Sequence, residues 1–307
     1  MKSIIKKPII IDTDPGHDDA LAIILLEKSG LVDIKAVTTV AGNSTIEKVT
    51  NNARYILDLV NSKAQIFSGA GGPMNRNLIK ANVHGESGLD GVKIVKSEPL
   101  NGLAVDKIIE IVRGNPGKIS IVIVGPETNI AKAILKEPNL SKSVKEFVIM
   151  GGAINCPGNK NRTAEFNIFV DPEAAEVVFN SGAKITLIPL DICNEIILTL
   201  KDFQGLKTGS LYKPIISMMR KFIGGIKKFE GIKGALVYDA LAAYYLINPK
   251  AYSLIKADIR IETKGEYTRG MSVMDKRGYG KKDYNVNLVT KIDLNKFREN
   301  FIRILNK

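Results

Sequence analysis

The strongest constraint on the fold is an alternation between apolar runs and amphipathic helical patterns. The apolar runs are rich in β-branched residues and lie at Pro8–Thr13, Ile34–Val40, Ile119–Val124, Phe147–Met150 and Ile185–Leu190. Short, nearly continuous apolar runs of this kind are typical of strands that are buried on both faces of a parallel sheet. The chain therefore supplies at least five candidate strands for one buried sheet.

Helical patterns fill the intervals between these runs. They lie at Asp18–Lys28, Thr45–Val60, Val105–Arg113, Thr128–Leu135 and Pro172–Asn180. Three of them are followed closely by a glycine, which commonly ends a helix. Regular strand–helix alternation predicts an α/β fold with a doubly wound, mostly parallel central sheet.

The pattern changes near the C-terminus. The segments "IKADIRIET", "RGMSVMD" and "YNVNLVTKID" read as short strands joined by turns, and a helix is expected at Lys296–Leu305. These segments predict a small strand-rich C-terminal addition. Because no linker, low-complexity tract or internal repeat interrupts the chain, we expect one domain spanning residues 1–307.

Composition narrows the class of protein. The net charge is +12, but acidic residues are interleaved with the lysines, and the densest basic stretch, Asp275–Tyr284, carries no known nucleic-acid motif. This favours a solvated surface over a nucleic-acid partner. No apolar run approaches the ~18 residues of a membrane span, and Asp12 interrupts the N-terminal apolar run too early for a signal peptide. Two isolated cysteines form no disulfide framework, so we expect a cytoplasmic protein.

Polar residues follow the predicted strands at the points where they end. The ends read "DTDPGHDD", "TTVAGN", "VGPETN", "VIMGGAIN" and "PLDICNE". In an open α/β sheet, ligands bind beyond the carboxyl ends of the strands. Any single residue of this set is explained by a turn or a helix cap. The complete set predicts a polar site along one edge of the sheet.

The first strand end carries four carboxylates, Asp12, Asp14, Asp18 and Asp19, within eight residues. Capping of the following helix explains one of them and a turn explains another. Converging carboxylates are also stabilised by a hard cation with oxygen ligands, for which Ca²⁺ and Mg²⁺ are the natural candidates. Zinc is disfavoured, since neither histidine has a partner at ligand spacing.

Several motifs together resemble the inosine–uridine preferring nucleoside hydrolase family. They are, in chain order, "DTDPGHDDALAI", "TTVAGN", "NVHGESGL", "VGPETNIA", "VIMGGAI", "GNKNRTAEFNIFVDPEAA" and "VYDALAAY". The resemblance implies hydrolysis of the N-glycosidic bond of ribonucleosides to ribose and free base. It also implies one Ca²⁺ per subunit, held by Asp14, Asp19, Asp239 and the backbone carbonyl of Val124.

The same resemblance assigns roles around the sugar. Asp14 would be the general base that takes a proton from the attacking water, and Asp12 would support the loop. The ribose would be held by Asp18 and Asn43 at the 2′ and 3′ side, by Asn159, Glu165 and Asn167 at the remaining hydroxyls, and by Met150 along the wall. The spacing of Glu165 and Asn167 fits an extended segment that aims both side chains one way.

The side that would face the base departs from the family pattern. Tyr238 stands where the best-known members have a histidine that protonates the leaving base. A tyrosine is a weaker acid at neutral pH, so Tyr238 is either a donor or stacking partner for the base, or part of the pocket wall. His84 is expected to contact the base, and His17 to be a local packing or solvent residue. The stretch Ile215–Lys233 is expected to form the base-side wall.

Base preference and competing functions stay open at this stage. The chain has no tryptophan, whereas purine-specific relatives stack the base between tryptophans, so uridine and cytidine are favoured. Tyr238, Phe222 or Phe229 can still stack a purine, which leaves a purine-preferring or nonspecific hydrolase as the alternative. More remote alternatives are a Mg²⁺-dependent phosphatase that uses Asp12 and Asp14, and a non-catalytic nucleoside-binding protein. The resemblance also implies a homodimer or homotetramer.

Overall fold

The computed structural model describes residues 5–96, 103–206, 209–281 and 283–307. Lys282 of the basic stretch therefore lies outside the described residues. The strands are β1 (Lys7–Thr13), β2 (Val32–Thr39), β3 (Ile66–Ser68), β4 (Ser120–Ile123), β5 (Glu146–Met150), β6 (Ile185–Ile188), β7 (Ile197–Leu198), β8 (Ala235–Leu236), β9 (Tyr252–Ala257), β10 (Ile259–Ile261), β11 (Ser272–Met274) and β12 (Val286–Ile292). All five strands predicted in the first two-thirds of the chain are present.

The six predicted helices are present, and the described ranges contain further helices that were not predicted. The helices are α1 (His17–Ser29), α2 (Ile46–Leu59), α3 (Ala104–Gly114), α4 (Thr128–Lys136), α5 (Leu140–Ser143), α6 (Phe166–Val170), α7 (Pro172–Phe179), α8 (Leu190–Cys193), α9 (Leu200–Phe203), α10 (Tyr212–Glu230), α11 (Tyr238–Ile247) and α12 (Leu294–Leu305). Gly30 ends α1 with a φ of 69°, a left-handed conformation that favours glycine. Among the helices of the described ranges, none is long and apolar enough to cross a membrane.

The central sheet has eight strands in the order β3-β2-β1-β4-β5-β6-β12-β9. Every neighbouring pair from β3 to β12 is parallel, and only β9 runs antiparallel, against β12. The chain winds outward from β1 in both directions, so the strand order reverses between β1 and β4. A doubly wound sheet binds ligands at the carboxyl ends beside this reversal. The predicted α/β fold class is confirmed.

The predicted strand-rich C-terminal part is present, and two of its strands extend the central sheet. β12 pairs in parallel with β6, with Val286 opposite Ile185, and β9 then forms the edge of the central sheet. β10 and β11 form a small antiparallel sheet of their own, and β7 and β8 form another. The central sheet therefore includes C-terminal strands, because the apolar residues Val286 and Leu288 bury against β6.

Two apolar layers cover the sheet, one on each face. Successive residues of a strand point to opposite faces, so Ile9 and Ile11 pack in the layer that contains α1 and α11, whereas Ile10 packs in the layer that contains α3 and α4. Burial on both faces explains why the strands read as continuous apolar runs. The layer arrangement fixes the first residues of α1 and α11 at one edge of the sheet.

Candidate active site

A cavity of about 280 Å³ opens at the carboxyl end of the central sheet. The loops after β2, β3, β4 and β5 reach it, together with the first turns of α1, α6 and α11. The predicted site residues that line it are Asp18, Asn43, His84, Val124, Met150, Asn159, Glu165, Asn167, Tyr238 and Asp239. Asp14 and Asp19 lie fully buried beside it. Residues separated by more than 200 positions in the chain thus meet in one cavity.

Three carboxylates form the acidic floor of this cavity. Asp18, Asp19 and Asp239 each offer an oxygen, and these atoms all lie within 4.8 Å of one another. The first two residues stand in the first turn of α1, and Asp239 stands in the first turn of α11. The sequence assigned Asp18 to the sugar, and the structure places it directly in the acidic group.

Asp19 is held rigidly by its neighbours. Its carboxylate accepts the Thr13 hydroxyl at 2.5 Å, the Gly16 backbone N–H at 2.9 Å and the Asn43 side-chain amide at 3.1 Å. Hydrogen bonds to a carboxylate from such donors are the strong ones in proteins. These bonds fix the orientation of one acidic group before any ligand binds.

Asp14 presents one free oxygen. Its Oδ2 accepts the Asn43 backbone N–H at 2.6 Å, whereas its Oδ1 is buried and has no hydrogen-bond partner. A Cβ on Gly125 would lie 2.8 Å from this Oδ1, and a Cβ on Gly42 would lie closer still to Oδ2. The glycines of "TTVAGN" and "VGPETN" thus leave room for the carboxylate, as no other residue type could.

Burial and mutual repulsion act on all these acids. Burial raises the pKa of Asp14 well above its usual range, and the charges of Asp19 and Asp18 raise it further. Burial, with the charges of Asp18, Asp19 and Asp14, does the same for the pKa of Asp239. Like charges this close favour either proton uptake or a cation between them. The negative charge of these buried carboxylates is therefore not balanced by any positive group among their neighbours that act on their pKa.

The donor set fits a hard divalent cation. The acidic floor offers carboxylate oxygens, and Asp14 Oδ1 and Asp18 Oδ1 are both buried without a hydrogen-bond partner. An unpartnered buried carboxylate oxygen is costly, and oxygen ligands are those that Ca²⁺ and Mg²⁺ prefer. The carbonyl of Val124 accepts the Asn167 amide at 3.2 Å, and its second lone pair stays available.

The "AEFN" segment lines the side of the cavity that was predicted to hold the sugar, and its geometry differs from the prediction. Glu165 is the N-cap of α6 and accepts the backbone N–H groups of Asn167 at 2.9 Å and Ile168 at 3.2 Å. Asn167 therefore lies in a helical turn and not in an extended strand, which corrects the expectation. Both side chains still face the cavity, because the cap and the first turn share one side. Burial raises the pKa of Glu165 to about 7.

Two further loop contacts complete that side. Asn159 Oδ1 accepts the Phe166 backbone N–H at 2.9 Å, which ties the loop after β5 to α6. Asn167 also donates to the carbonyl of Met150 at 3.3 Å.

Asp191, from the last strand end, accepts the backbone N–H groups of Ile154 and Asn155. Asp191 thus anchors the loop and does not line the cavity.

Asp12 lies below the cavity, inside the sheet. Its Oδ1 accepts the Thr38 hydroxyl at 2.5 Å and the Asn129 amide at 2.8 Å, and burial raises its pKa to about 7. Asn129 also accepts the Ala70 backbone N–H at 2.9 Å. Asp12 therefore connects β1 with β2 and the start of α4, which agrees with its predicted supporting role.

An aromatic wall faces the acidic floor. Helix α10, which covers most of the stretch Ile215–Lys233, supplies Phe222, Ile226 and Phe229 to the cavity lining. The rings of His84 and Phe222 are nearly parallel, with centres 5.2 Å apart. His17 is fully buried and lies in the same group of rings, so it is a packing residue and not a solvent residue.

Tyr238 closes the wall near the floor. Its hydroxyl donates to Asn194 Oδ1 at 2.7 Å. Burial, with nearby acidic groups, raises its pKa further above the usual value. The phenol proton is thus already used in a hydrogen bond and is hard to remove. This favours the interpretation that Tyr238 forms part of the pocket wall and does not protonate a ligand.

Several lining residues were missed from the sequence. They are Ala81, Asn82, Val83, Lys160, Phe166 and Leu236. Lys160 and Phe166 adjoin predicted residues inside the "GNKNRTAEFN" motif, so the motif itself could have indicated them. Asn82 and Val83 directly precede His84 in the "NVHGESGL" motif, which could also have indicated them, whereas Ala81 and Leu236 lie just outside the quoted motifs.

Comparison with known proteins agrees with this geometry. Residues 9–299 match the family model described as inosine-uridine preferring nucleoside hydrolase. A pyrimidine-specific ribonucleoside hydrolase RihA from Escherichia coli is 39% identical over 275 residues, which cover 87% of this chain and 88% of that protein. A protein of the same name from Salmonella newport is 36% identical over 305 residues, covering 97% and 96%.

Solved structures show the same fold. A plant nucleoside hydrolase, PpNRh1, superposes with a TM-score of 0.92 at 28% identity, covering 98% of this chain and 99% of that one. A purine-preferring ribonucleoside hydrolase from Gardnerella vaginalis gives 0.90 at 28% identity, covering 98% of each. The family match, the relatives and the cavity lead to one conclusion. The chain belongs to the inosine–uridine preferring nucleoside hydrolase family and is an enzyme that hydrolyses the N-glycosidic bond of ribonucleosides.

Proposed function

We propose that this nucleoside hydrolase requires one Ca²⁺ per subunit and prefers the pyrimidine nucleosides uridine and cytidine. The observation that carries the metal proposal is the buried, unpartnered Asp14 Oδ1 beside the three clustered carboxylates of the acidic floor. Asp14, Asp19, Asp239 and the carbonyl of Val124 would hold the ion, and Asp18 would bind the ribose beside it. When bound, a divalent cation supplies positive charge that acidifies water and orients the ribose diol.

The residues of the chain perform the proton chemistry. Because Asn43 occupies Asp14 Oδ2, Oδ1 is the atom that accepts the proton of the attacking water. The water oxygen bonds to C1′, and the C1′–N bond breaks with its electron pair leaving on the base. Positive charge that develops on the sugar is stabilised by the surrounding carboxylates. Glu165, Asn167, Asn43 and Asn159 would hold the ribose hydroxyls.

The leaving base needs a proton or a hydrogen bond. Tyr238 is a poor source, because its hydroxyl donates to Asn194 and burial raises its pKa. His84 lies in the wall that faces the floor. We therefore place Tyr238 in the wall and His84 against the base.

Base preference rests on relatives and on aromatic composition. The relatives at 36–39% identity are named as pyrimidine-specific, whereas the purine-preferring structure is 28% identical. The chain has no tryptophan for a purine sandwich. We expect kcat/KM for uridine and cytidine to exceed that for inosine and adenosine by at least about tenfold, about 1.4 kcal/mol.

A ribose-release assay with the four nucleosides tests the proposal. Equal or faster turnover of inosine would overturn the pyrimidine preference alone. Phosphate release from a phosphomonoester without ribose release from any nucleoside would support the phosphatase alternative. Nucleoside binding without turnover, in the presence of Ca²⁺, would support the binding-protein alternative.

We also propose a homodimer or homotetramer located in the cytoplasm. The assembly rests on the resemblance to the family, and the location on the two isolated cysteines, which form no disulfide framework. Light scattering after size-exclusion chromatography measures the mass of the assembly, and a mass near the 33.5 kDa of one chain would contradict the oligomer.

A further inference from the structure

Glu230 is the last residue of α10 and stands against the usual charge preference of a helix end. The last carbonyl groups of a helix carry partial negative charge, so basic residues are favoured there and acidic residues are disfavoured. Lys227 and Lys228 of the same turn follow this rule, whereas Glu230 does not, and Gly231 then ends the helix with a φ of 76°. Departures from such a local rule are expected at functional sites.

The carboxylate of Glu230 has no partner that offsets this cost. Within the described ranges it forms no ion pair and accepts no hydrogen bond, although two lysines lie in the same turn. Burial raises its pKa. Glu230 lines the cavity beside Tyr238. Burial raises the pKa of Tyr238 most, and the charge of Glu230 is among those that raise it further. The carboxylate therefore lies on the cavity side of α10.

The residues of α10 that line the cavity run from its depth to its mouth. Phe222, Ile226 and Glu230 follow one another at spacings of four residues, which places them on one side of the helix. Phe222 and Ile226 are 2% and 1% exposed, whereas Phe229, which precedes Glu230, is 51% exposed. Because a helix rises about 1.5 Å per residue, Glu230 lies roughly 12 Å from Phe222 along the axis. Glu230 therefore stands at the mouth end of the aromatic wall.

A nucleobase attached to a ribose on the acidic floor would extend along this wall toward the mouth. Its outer edge is the edge opposite the glycosidic nitrogen. In uracil this edge carries the N3–H group, and in cytosine it carries the amino group on C4. A carboxylate accepts hydrogen bonds and donates none, and hydrogen bonds to an ionised group are stronger than neutral ones. An N–H group on the outer edge is thus the feature that Glu230 can recognise.

We propose that Glu230 is a specificity residue that accepts a hydrogen bond from an N–H group on the outer edge of the nucleobase. The inference rests on the proposed function, in which the base lies between the acidic floor and the wall of α10.

The contact acts on binding and not on bond cleavage. The C1′–N bond breaks with its electron pair leaving on the base, and a carboxylate beside the base cannot stabilise that negative charge. Loss of an interaction that is already made in the bound substrate raises KM and leaves kcat unchanged. A change in KM without a change in kcat is therefore the expected signature of Glu230.

Three substitutions test the contact. Glu230→Met keeps the length of the side chain and removes the acceptor, whereas Glu230→Gln keeps an oxygen that can accept and removes the charge. Glu195→Met is the matched control, because Glu195 is exposed, does not line the cavity and adjoins Asn194, the partner of Tyr238. Neither Glu230 variant should lower the Tm, since an acid at a helix end of this polarity does not stabilise the helix.

Steady-state kinetics with cytidine, uridine and pyrimidin-2-one riboside provide the test. The third nucleoside has the cytosine ring without its amino group and presents no N–H on the base. With cytidine and uridine, E230M should raise KM about tenfold while kcat stays within about threefold, and E230Q should raise KM less. With pyrimidin-2-one riboside, E230M should leave KM within about threefold, and E195M should do so with all three substrates.

Three outcomes would overturn the proposal. They are an unchanged KM for cytidine and uridine in E230M, an equal rise of KM on all three substrates, and a rise in E195M as large as in E230M. Ribose release by the unchanged protein tests the proposed function separately. Its absence with every nucleoside refutes that function, whereas normal release without the expected KM pattern refutes only the role of Glu230.

Discussion

Replacing Asp14 by asparagine is expected to remove most turnover while preserving the fold. Asp14 Oδ2 accepts the Asn43 backbone N–H at 2.6 Å, and Oδ1 has no partner. The amide oxygen of an asparagine can keep the Asn43 bond, which places the amide nitrogen where Oδ1 was. An amide nitrogen at this point can neither take a proton nor bind a cation.

The expected loss of kcat in D14N follows from the role of Asp14 as general base. Loss of a positioned general base costs about 10²- to 10⁴-fold in kcat, which corresponds to about 2.7–5.4 kcal/mol. The stability of the cation-free protein should not fall, because burial and the charges of Asp19 and Asp18 already disfavour the Asp14 carboxylate. D14N should thus lower kcat without lowering the free energy of unfolding of the cation-free protein.

Asp12→Asn is the matched control. Asp12 is also fully buried on the same loop-bearing strand, with one oxygen bonded to Thr38 and Asn129 and the other oxygen unpartnered. It does not line the cavity, so D12N should keep kcat for uridine within about tenfold of the unchanged protein. Ribose release and thermal unfolding are measured for both variants, with and without Ca²⁺. If D12N loses as much turnover as D14N, or D14N retains more than a tenth of it, the assignment of Asp14 as base is refuted.

Three further predictions concern the cation, pH and Tyr238. Removal of divalent cations with a chelator should abolish turnover and lower the Tm, and Ca²⁺ at about 100 times its Kd should restore about 2.7 kcal/mol of stability; no Tm change on adding Ca²⁺ would contradict the site. Burial raises the pKa of Asp12 and Glu165 from 3.8 and 4.5 to about 7, so their protonation stabilises the cation-free fold at low pH, and this contribution is lost as pH rises through about 7. Urea titrations from about pH 5 to about pH 8 should show that the free energy of unfolding of the cation-free protein falls as the pH rises, and the fall should be smaller in D12N. Tyr238→Phe loses the Asn194 bond, about 1 kcal/mol of stability, and should change kcat by less than about tenfold; a loss as large as that of D14N would make Tyr238 the acid.

The sheet and the carboxylates at the start of α1 were predictable because their signals are local, whereas Asp239 was assigned only through the family resemblance. β1, β2, β4, β5 and β6 are buried on both faces, so their sequences are apolar throughout, and polar residues mark where each strand ends. Gly30 shows where α1 stops. The meeting of their carboxyl ends at one edge then follows from the parallel α/β pattern, whereas the order of the strands was not predicted.

The remaining features depend on contacts between distant segments. β3 has only three residues, and no pattern of period two can be read from so few. Glu165 caps α6 by accepting two backbone N–H groups. From the sequence alone, a glutamate at this position could equally belong to an extended segment, so the cap could not be recognised. The contact between His17 and His84 spans 67 positions, and its partner Phe222 comes from α10. Spacing within a motif carries no information about such contacts.

The two helices that supply the acidic floor explain how a folded chain tolerates so much buried charge. α1 and α11 pack against each other in the same apolar layer, and both are apolar on nearly every side, so they can only exist buried. Each begins with its acids: Asp18 and Asp19 in the first turn of α1, and Asp239 in the first turn of α11. The unsatisfied N–H groups at a helix start favour negative charge. The N-termini of α1 and α11 both lie at the acidic floor, so together they offset part of the repulsion that, with burial, raises the pKa of Asp239. A divalent cation would neutralise the remaining repulsion.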